Sequence, residues 1–245
     1  MKLMIAFLAN PKRFMDLSGA VLPFAWGATG VVLAVGVYMS FFTAPADYQQ
    51  GETVRIMFVH VPAAWMAMGV YAFMAAASAA GFIWRHALAD LAAKAAAPIG
   101  AAFTFLALVT GSLWGRPMWG TWWEWDARLT SVLVLFFMYL GYMALWSAIE
   151  DKAKAARAAA ILCLLGAVNL PIIKFSVDWW NTLHQPASVM RFDGPTIYPT
   201  ILLPLLVMGF GYLLFFTSLL LIRLRTEVLA QRLRAAVRAK ARAHG

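Results

Sequence analysis

The sequence predicts an all-α, polytopic membrane protein with six transmembrane helices, and three observations support this fold class. First, 63% of the 245 residues are hydrophobic and 13% are charged, whereas soluble domains are about 45–50% apolar and about 25% charged. Second, a mean hydropathy of +0.74 means more apolar surface than a core of this size can bury. Third, six runs approach the roughly 20 residues that cross a bilayer: 22–42, 63–84, 98–114, 129–149, 158–173 and 200–222.

Prolines mark where several of these spans begin, bend or end. Pro98 suits the start of the third helix, because the first turn of a helix tolerates a missing N–H. The alanine-rich segment 88–97 before it is interpreted as a short cytoplasmic connector. Pro171 and Pro204 lie inside the fifth and sixth apolar runs, where they should kink or end the helix and free a carbonyl group.

The positive charges predict the orientation of the six spans. Six crossings put both termini on one side, and that side carries 15 of the 20 Lys and Arg residues. The positive-inside rule therefore assigns both termini to the cytoplasm. Topology accounts for the net charge of +9, so the basic composition does not indicate a nucleic-acid partner. The five outward cations are Arg55, Arg116, Arg128, Lys174 and Arg191.

The chain is predicted to form one membrane domain, residues 1–222, followed by a basic cytoplasmic tail, residues 223–245. The membrane domain has three outward loops, at 43–62, 115–128 and 174–199. Residues 1–10 are predicted to form an interfacial helix before the first span. The tail has seven cations among apolar residues at helical spacing. It is expected either to lie on the anionic inner leaflet or to dock on a cytoplasmic partner subunit.

The sequence lacks the residue motifs of several common covalent and nucleotide-binding sites. Cys163 is the only cysteine and lies mid-span, so the chain has neither a disulfide nor a Cys-x-x-Cys-His haem attachment site. It also lacks a Walker A phosphate loop and a dinucleotide-binding fingerprint. Any energy from nucleotide hydrolysis must therefore come from another subunit.

Tryptophan is concentrated on the outward side. Five of the eleven tryptophans lie within residues 114–125: Trp114, Trp119, Trp122, Trp123 and Trp125. Three more outward tryptophans are Trp65, Trp179 and Trp180. An aromatic belt spreads its rings over both membrane faces, which fits the remaining tryptophans but not this cluster. Rigid indole faces stack well on a large, flat, apolar ligand, so the cluster predicts a ligand platform.

Two histidines flank this platform from the other two outward loops. His60 ends the first loop and His184 lies in the third. Two neutral imidazoles can supply both axial nitrogens of a haem iron while the indoles pack on the porphyrin. A zinc site is the competing interpretation, but zinc needs three or four protein ligands and no outward cysteine is present. The remaining histidines, His86 and His244, lie in charged cytoplasmic settings and are interpreted as solvated.

The charged residues near the tryptophan cluster have two possible roles: to brace the loop or to bind the ligand. Asp126 and Arg128 are two residues apart, so we expect a carboxylate–guanidinium pair that braces the second outward loop. Haem carries two propionates, and all five outward cations are candidates to meet them. Spacing alone does not select one.

Residues 119–130 carry a specific signature. They read Trp-Gly-Thr-Trp-Trp-Glu-Trp-Asp-Ala-Arg-Leu-Thr, which resembles the motif Trp-Gly-x-Trp-Trp-x-Trp-Asp-x-Arg-Leu-Thr of haem-handling membrane proteins. The six spans, the histidine in each of the other outward loops and the length of 245 residues extend the match. Nearly the whole chain resembles the CcmC family of bacterial cytochrome c maturation system I. Longer relatives with the signature, such as CcmF, have more spans and more histidines.

The resemblance implies a function, a location and a set of partners. Haem b would bind at the periplasmic face of the bacterial inner membrane and pass to the periplasmic haem chaperone CcmE. The chain would belong to an ABC-type complex with the ATPase and membrane subunits CcmA and CcmB and the small single-span subunit CcmD. Whether the chain itself promotes covalent attachment of haem to the chaperone stays open.

The resemblance also implies the site. His60 and His184 correspond to the axial haem ligands of the family. The segment that contacts haem and the chaperone corresponds to Trp114, Trp119, Trp122, Trp123, Trp125, Asp126 and Arg128.

Two other classes of function are alternatives. A structural subunit without haem can use the tryptophan-rich loop to dock a periplasmic partner, and it would show no Soret absorption band. A secondary transporter would carry ionisable residues at mid-span, and this sequence has almost none there.

Overall fold

The computed structural model describes residues 10–186, 188–189, 191 and 193–243. These residues form seven α-helices in chain order: α1 Pro11–Tyr38, α2 Met57–Trp84, α3 Ala87–Trp119, α4 Ala127–Ala148, α5 Lys152–Gly166, α6 Asn169–Trp179 and α7 Pro199–Ala243. A π-helical turn, Met39–Thr43, extends α1, and a 3-10 turn, Glu52–Ile56, leads into α2. Residues 1–9 of the predicted interfacial helix lie outside the described residues. Asn10 caps α1 through its side-chain oxygen, which accepts from the backbone of Lys12 at 2.9 Å.

The described part of the chain contains six helical segments that are long and apolar enough to cross a membrane. They are Pro11–Thr43, Glu52–Trp84, Ala87–Trp119, Ala127–Ala148, Lys152–Trp179 and Pro199–Ala241. The fifth segment joins α5 and α6, and each of the others contains one α-helix. The predicted all-α, six-span class is therefore confirmed.

Helix α3 is longer at both ends than the sequence predicts. It does not start at Pro98 but eleven residues earlier, at Ala87, where His86 caps it by accepting from the backbone N–H of Ala89 at 3.2 Å. Segment 88–97 is thus helical and not a connector, as the high helix propensity of alanine favours. His86 is a helix cap, not simply a solvated side chain. At the other end α3 continues to Trp119, so the first residues of the predicted second loop are helical too.

The fifth span breaks at the place that Pro171 predicts. Helix α5 ends at Gly166 and α6 begins at Asn169. Pro171 has no N–H to donate to the carbonyl of Ala167, four residues earlier. That carbonyl accepts instead from the backbone N–H of Leu170 at 3.1 Å. The freed acceptor is thereby satisfied inside the bundle, as a membrane-spanning segment requires.

Helix α7 continues through Pro204, where the sequence predicts a kink or an end. Pro204 lies in the second turn of the helix, so the carbonyl that loses its partner belongs to Thr200, next to the helix start. The helix has 45 residues, which corresponds to about 68 Å at the usual rise of 1.5 Å per residue. The described part of the basic tail is a continuation of the sixth span.

Helices α2 and α3 form the centre of the bundle. Helix α7 packs across both and carries α1 on its other side, while α4 and α5 pack on the opposite face. The core around Val70, Tyr71 and Met74 of α2 is fully buried. Tyr139 of α4 crosses to α2 and donates its hydroxyl to the carbonyl of Ala67 at 2.7 Å. The close contact between α2 and α3 positions the candidate site.

Polar contacts join the helices at the end of the bundle where both described chain ends lie. Arg225 of α7 donates to the carbonyl of Met15 and to Ser18 Oγ of α1. Lys94 of α3 pairs with Glu227 of α7 at 2.6 Å. We call the opposite end the loop end, and it holds residues 44–56, 120–126 and the described residues of 180–198.

Candidate functional site

A cavity opens at the loop end between α2, α3, the start of α4 and the segment that follows α6. The open space of this cavity, with its mouth included, is about 830 Å³. Most of the lining is apolar, and the ionisable side chains among the described lining residues are His60, Arg128 and His184. Both predicted ligand histidines therefore face one cavity.

His60 is buried in the wall of this cavity and lies within α2, not in a loop as the sequence suggests. Its Nδ1 is 3.1 Å from the carbonyl oxygen of Ala107 and 3.1 Å from Thr110 Oγ1, both on α3. A carbonyl oxygen can only accept, so Nδ1 carries the ring hydrogen. In the neutral ring Nε2 then has a free lone pair, which is the form that binds a metal.

Gly111 makes room for this ring. A Cβ atom added at Gly111 would lie 2.9 Å from Cε1 of His60, closer than real Cβ contacts allow. The absent side chain lets α3 approach His60 closely enough for the two hydrogen bonds on Nδ1 to form.

His184 reaches the cavity from the segment after α6. Its neighbour Leu183 donates its backbone N–H to Asp126 Oδ2 at 3.3 Å, which ties this segment to the start of α4. Nδ1 of His184 is buried and has no hydrogen-bond partner among the described residues. Burial, with a smaller effect from the positive charge of Arg128, lowers the pKa of His184 to about 4. The ring is therefore neutral at physiological pH.

The two imidazoles have the spacing of a pair that shares one metal ion. Their ring centres are 6.3 Å apart and their planes differ by 29°. An imidazole nitrogen binds a transition metal at about 2.0 Å and the ring centre lies roughly 1 Å behind it, so two axial imidazoles have centres about 6 Å apart. The described residues include no group of three or more His, Cys, Asp and Glu side chains that could hold an ion.

Three of the five predicted platform tryptophans line the cavity beside these histidines. The Trp114 ring lies edge-on to His60 at 5.7 Å between centres, and its Nε1–H donates to Gln50 Oε1 at 3.0 Å. Trp119 lies 5.7 Å from His184. Trp123 completes this group. Each histidine therefore has an indole on its flank.

Trp122 and Trp125 do not line the cavity. Trp122 is 54% exposed and Trp125 is 73% exposed. The guanidinium of Arg116 lies 6.0 Å from the Trp122 ring, and Trp125 packs edge-on against Trp123 at 5.4 Å. Of the five indoles predicted to face one ligand, three line the cavity and two do not, because α3 ends at Trp119 and the following turn points two rings away from the cavity.

Asp126 and Arg128 do not form the ion pair that the sequence suggests. Asp126 is the N-cap of α4, and its Oδ1 accepts from the backbone N–H of Leu129 at 2.7 Å. Arg128 reaches α6 instead, where Nε donates to Ser176 Oγ at 3.1 Å. Its Nη2 donates to the carbonyls of Ile173 and Lys174, each at 3.2 Å. Each side chain thus joins α4 to a different neighbouring segment.

Arg128 is also the outward cation that borders the cavity. The other outward cations are absent from the described lining. Arg55 pairs with Glu52 and donates to two carbonyls at the end of α1. Arg116 donates to the carbonyl of Gly120. Among the described residues, Arg128 is therefore the one of the five outward cations that lines the cavity.

Sequence reasoning missed Thr110 and Gly111, which fix His60, and Gln50, which holds Trp114. Thr110 and Gly111 interrupt an apolar run in α3. Such small and hydroxyl residues in membrane helices often mark close helix contacts, but the sequence does not say which helix is the neighbour. Met118 and Gln185 also line the cavity and were not predicted.

The comparison with known families identifies the family of this chain. The family model for CcmC, described as heme exporter protein C, matches residues 4–239. The chain belongs to the CcmC family. A CcmC relative from Bradyrhizobium diazoefficiens is 64% identical, over 93% of this chain and 86% of its own length. The relative from Escherichia coli K12 is 54% identical, over 91% of this chain and 89% of its own. The relative from Haemophilus influenzae is 51% identical, over 91% of each chain. All three are named heme exporter protein C.

Proposed function

We propose that this chain binds haem in the cavity at the loop end and delivers it to a periplasmic haem chaperone. The observation that carries the proposal is the pair of imidazoles with ring centres 6.3 Å apart in an apolar cavity. His60 and His184 would be the two axial ligands of the iron. The haem-export names of the CcmC relatives support the same ligand.

The bound cargo would be haem b. Haem b has no covalent bond to its protein, whereas c-type haem is attached through the thiols of a Cys-x-x-Cys-His motif. Cys163, the one cysteine of the chain, is buried in the helix core and does not line the cavity. The histidines, the indoles and the shape of the cavity would hold the haem.

Trp114, Trp119 and Trp123 would pack on the porphyrin, and Arg128 would meet a propionate. An indole in contact with a flat apolar ring contributes about 0.5–1.5 kcal/mol beyond area burial. The guanidinium of Arg128 is held against α6 by three acceptors, so its position is fixed before the ligand arrives. A charge held in place loses little conformational entropy on binding.

The exposed tryptophans suggest where the chaperone docks. Trp122 and Trp125 lie next to the cavity wall but point away from it, and exposed aromatic rings are typical anchors of protein interfaces. CcmE would cover this side of the cavity mouth and receive the haem there.

The remaining partners are those that the resemblance to the CcmC family implies. The chain has no phosphate-binding loop, so ATP hydrolysis would come from an ABC-type complex with CcmA, CcmB and CcmD. The excess of cations at the other end of the bundle supports insertion in the bacterial inner membrane with the loop end in the periplasm.

The test is the absorption spectrum of the purified chain loaded with haem. We expect a Soret band and a six-coordinate, bis-histidine spectrum, and we expect His60→Ala or His184→Ala to abolish the six-coordinate form. His86→Ala is the matched control, because His86 lies at the opposite end of α3 from the cavity, and it should leave the spectrum unchanged. An unchanged six-coordinate spectrum in either cavity variant overturns the ligand assignment. A wild-type chain with no Soret band would favour the alternative, a docking subunit without haem.

A further inference from the structure

The hydrogen bonds on His60 determine which of its nitrogens is free. Nδ1 has two neighbours at 3.1 Å, the carbonyl oxygen of Ala107 and the hydroxyl oxygen of Thr110. A carbonyl accepts without condition, whereas a hydroxyl can donate or accept. The direction of the contact with Thr110 therefore depends on where the hydroxyl hydrogen of Thr110 points.

Thr110 has one hydroxyl hydrogen, and a closer acceptor uses it. Thr110 Oγ1 donates to the carbonyl of Leu106, one turn earlier in α3, at 2.6 Å. The oxygen that faces His60 therefore offers a lone pair and accepts from Nδ1–H. Both neighbours of Nδ1 are then acceptors, and both require the same tautomer of His60.

We propose that Thr110 is a positioning residue that holds His60 with its hydrogen on Nδ1 and its Nε2 lone pair directed to the haem iron. The inference rests on the proposed function for the role of Nε2, although the tautomer itself does not. An acceptor on the far nitrogen fixes the ring orientation and raises the basicity of the ligating nitrogen, and its loss typically costs 10–100-fold in metal affinity.

The first test uses the chain without haem. Nitrogen-15 NMR of histidine-labelled protein in detergent, with His60 assigned by a His60→Gln variant, reports which ring nitrogen is protonated. We expect the Nδ1–H form in the wild type. In Thr110→Val, which keeps the side-chain volume and removes the acceptor, we expect the Nδ1–H resonance to move upfield and a minor Nε2–H form to appear. A wild-type ring protonated on Nε2 overturns the proposal.

Two further variants separate the acceptor from a general effect on the helix. Thr110→Ser keeps a hydroxyl at the same place and should retain the wild-type NMR pattern. Thr104→Val is the matched control, because Thr104 is also buried in α3 and donates to the carbonyl four residues earlier, Gly100, at 2.7 Å. A Thr104→Val spectrum that changes as Thr110→Val does would show that the effect is not specific to the acceptor and overturns the proposal.

The second test measures the haem-loaded chain. We expect Thr110→Val to weaken haem binding by about tenfold and to raise the reduction potential, because a less basic imidazole stabilises ferric iron less. Thr110→Ser should restore both values. An affinity and a potential equal to those of the wild type in Thr110→Val overturn the role of Thr110 towards iron.

The two tests fail separately from the proposed function. If the wild-type chain binds no six-coordinate haem, the proposed function fails and the role of Thr110 towards iron fails with it, whereas the NMR result still decides the tautomer. If the wild-type spectrum is six-coordinate and Thr110→Val behaves like the wild type in both tests, the inference alone fails.

Discussion

Gly111 leaves room for the His60 ring against α3, because it has no Cβ atom. A Cβ at this position would lie 2.9 Å from His60 Cε1. We expect Gly111→Ala to displace the ring from its acceptors on α3 and to weaken haem binding by about tenfold. Alanine is a better helix former than glycine by about 1 kcal/mol, so the helix itself should persist. A haem titration monitored at the Soret band measures the loss.

The control for Gly111→Ala is another glycine in a neighbouring helix. A Cβ at Gly69 of α2 would meet nothing within 4 Å, so Gly69→Ala should bind haem as the wild type does. Equal haem affinity in Gly111→Ala and Gly69→Ala would show that the close approach at Gly111 does not matter for the ligand.

His184 makes the stability of the chain sensitive to acid. Burial lowers its pKa to about 4, from an ordinary value of 6.5. Between these values the unfolded chain binds more protons than the folded chain, so stability rises with pH in this window. The contribution of His184 is complete above pH 6.5 and is lost as the pH falls through about 4.

The matched variant for this prediction is His184→Gln, which cannot titrate. We expect the unfolding temperature of the haem-free chain in detergent to fall between pH 7 and pH 4.5. The fall should be larger for the wild type than for His184→Gln. Carboxylate groups titrate in the same range, and the difference between the two proteins removes their effect. An equal fall in both proteins contradicts the lowered pKa.

At the scale of elements, Asp126 joins the start of α4 to the segment that carries His184. Its two carboxylate oxygens accept from different backbone N–H groups, those of Leu129 and Leu183. Asn at this position still caps the helix, but its amide group has one accepting oxygen and cannot serve both donors. We therefore expect Asp126→Asn to retain thermal stability and to weaken the six-coordinate haem spectrum through His184.

Asp126→Ala should lose both the cap of α4 and the contact with Leu183. Loss of the cap should lower the stability by about 1 kcal/mol. Asp151→Ala is the control, since Asp151 caps α5 by accepting from the backbone of Ala153 and Lys154 at the other end of the bundle. It should lower the unfolding temperature and leave the haem spectrum intact. A normal bis-histidine spectrum in Asp126→Asn would show that the contact with Leu183 does not position His184.

The elements also show what can be predicted from a sequence of this kind. The break after α5 follows from Pro171 because its cause is local, a missing N–H four residues after the carbonyl of Ala167. The extension of α3 before Pro98 agrees with the local helix propensity of its alanines, but its packing against α7 is not visible in the sequence.

The same distinction holds at the cavity. His60, His184 and Trp119 are identifiable by residue type and by the signature around residue 119. The role of Thr110 is not, because it depends on a contact with a residue 50 positions away. The directions of Trp122 and Trp125 depend on where α3 ends, and helix boundaries are the least certain part of a sequence-based prediction.

At the scale of the whole molecule, α7 connects the loop end to the opposite end of the bundle. Near its start, Leu205 and Met208 pack with Phe58 of α2, close in sequence to His60. Farther along, Glu227 pairs with Lys94. Helix α7, which is uninterrupted, therefore contacts other helices at both ends of the bundle.

The continuity of α7 favours one of the two expectations for the basic tail. Beyond Val228, which is buried, the helix continues in the direction of the sixth span, and Leu229, Leu233 and Val237 are more than half exposed. A helix that lies on a bilayer surface must turn from the direction of its span, and α7 has no break between Pro204 and Ala243. We therefore expect the tail to project into the aqueous phase, available to a partner, and not to lie on the leaflet.

A nitroxide label at residue 233 tests this orientation. We expect Leu233→Cys, labelled in a chain reconstituted into vesicles with anionic lipid, to be relaxed more strongly by a water-soluble nickel chelate than by oxygen. Leu213→Cys is the control, because Leu213 is exposed on the apolar part of the same helix and should show the reverse pattern. If residue 233 is relaxed mainly by oxygen, as residue 213 should be, the tail lies in the membrane interface, held there by its cations and its exposed leucines.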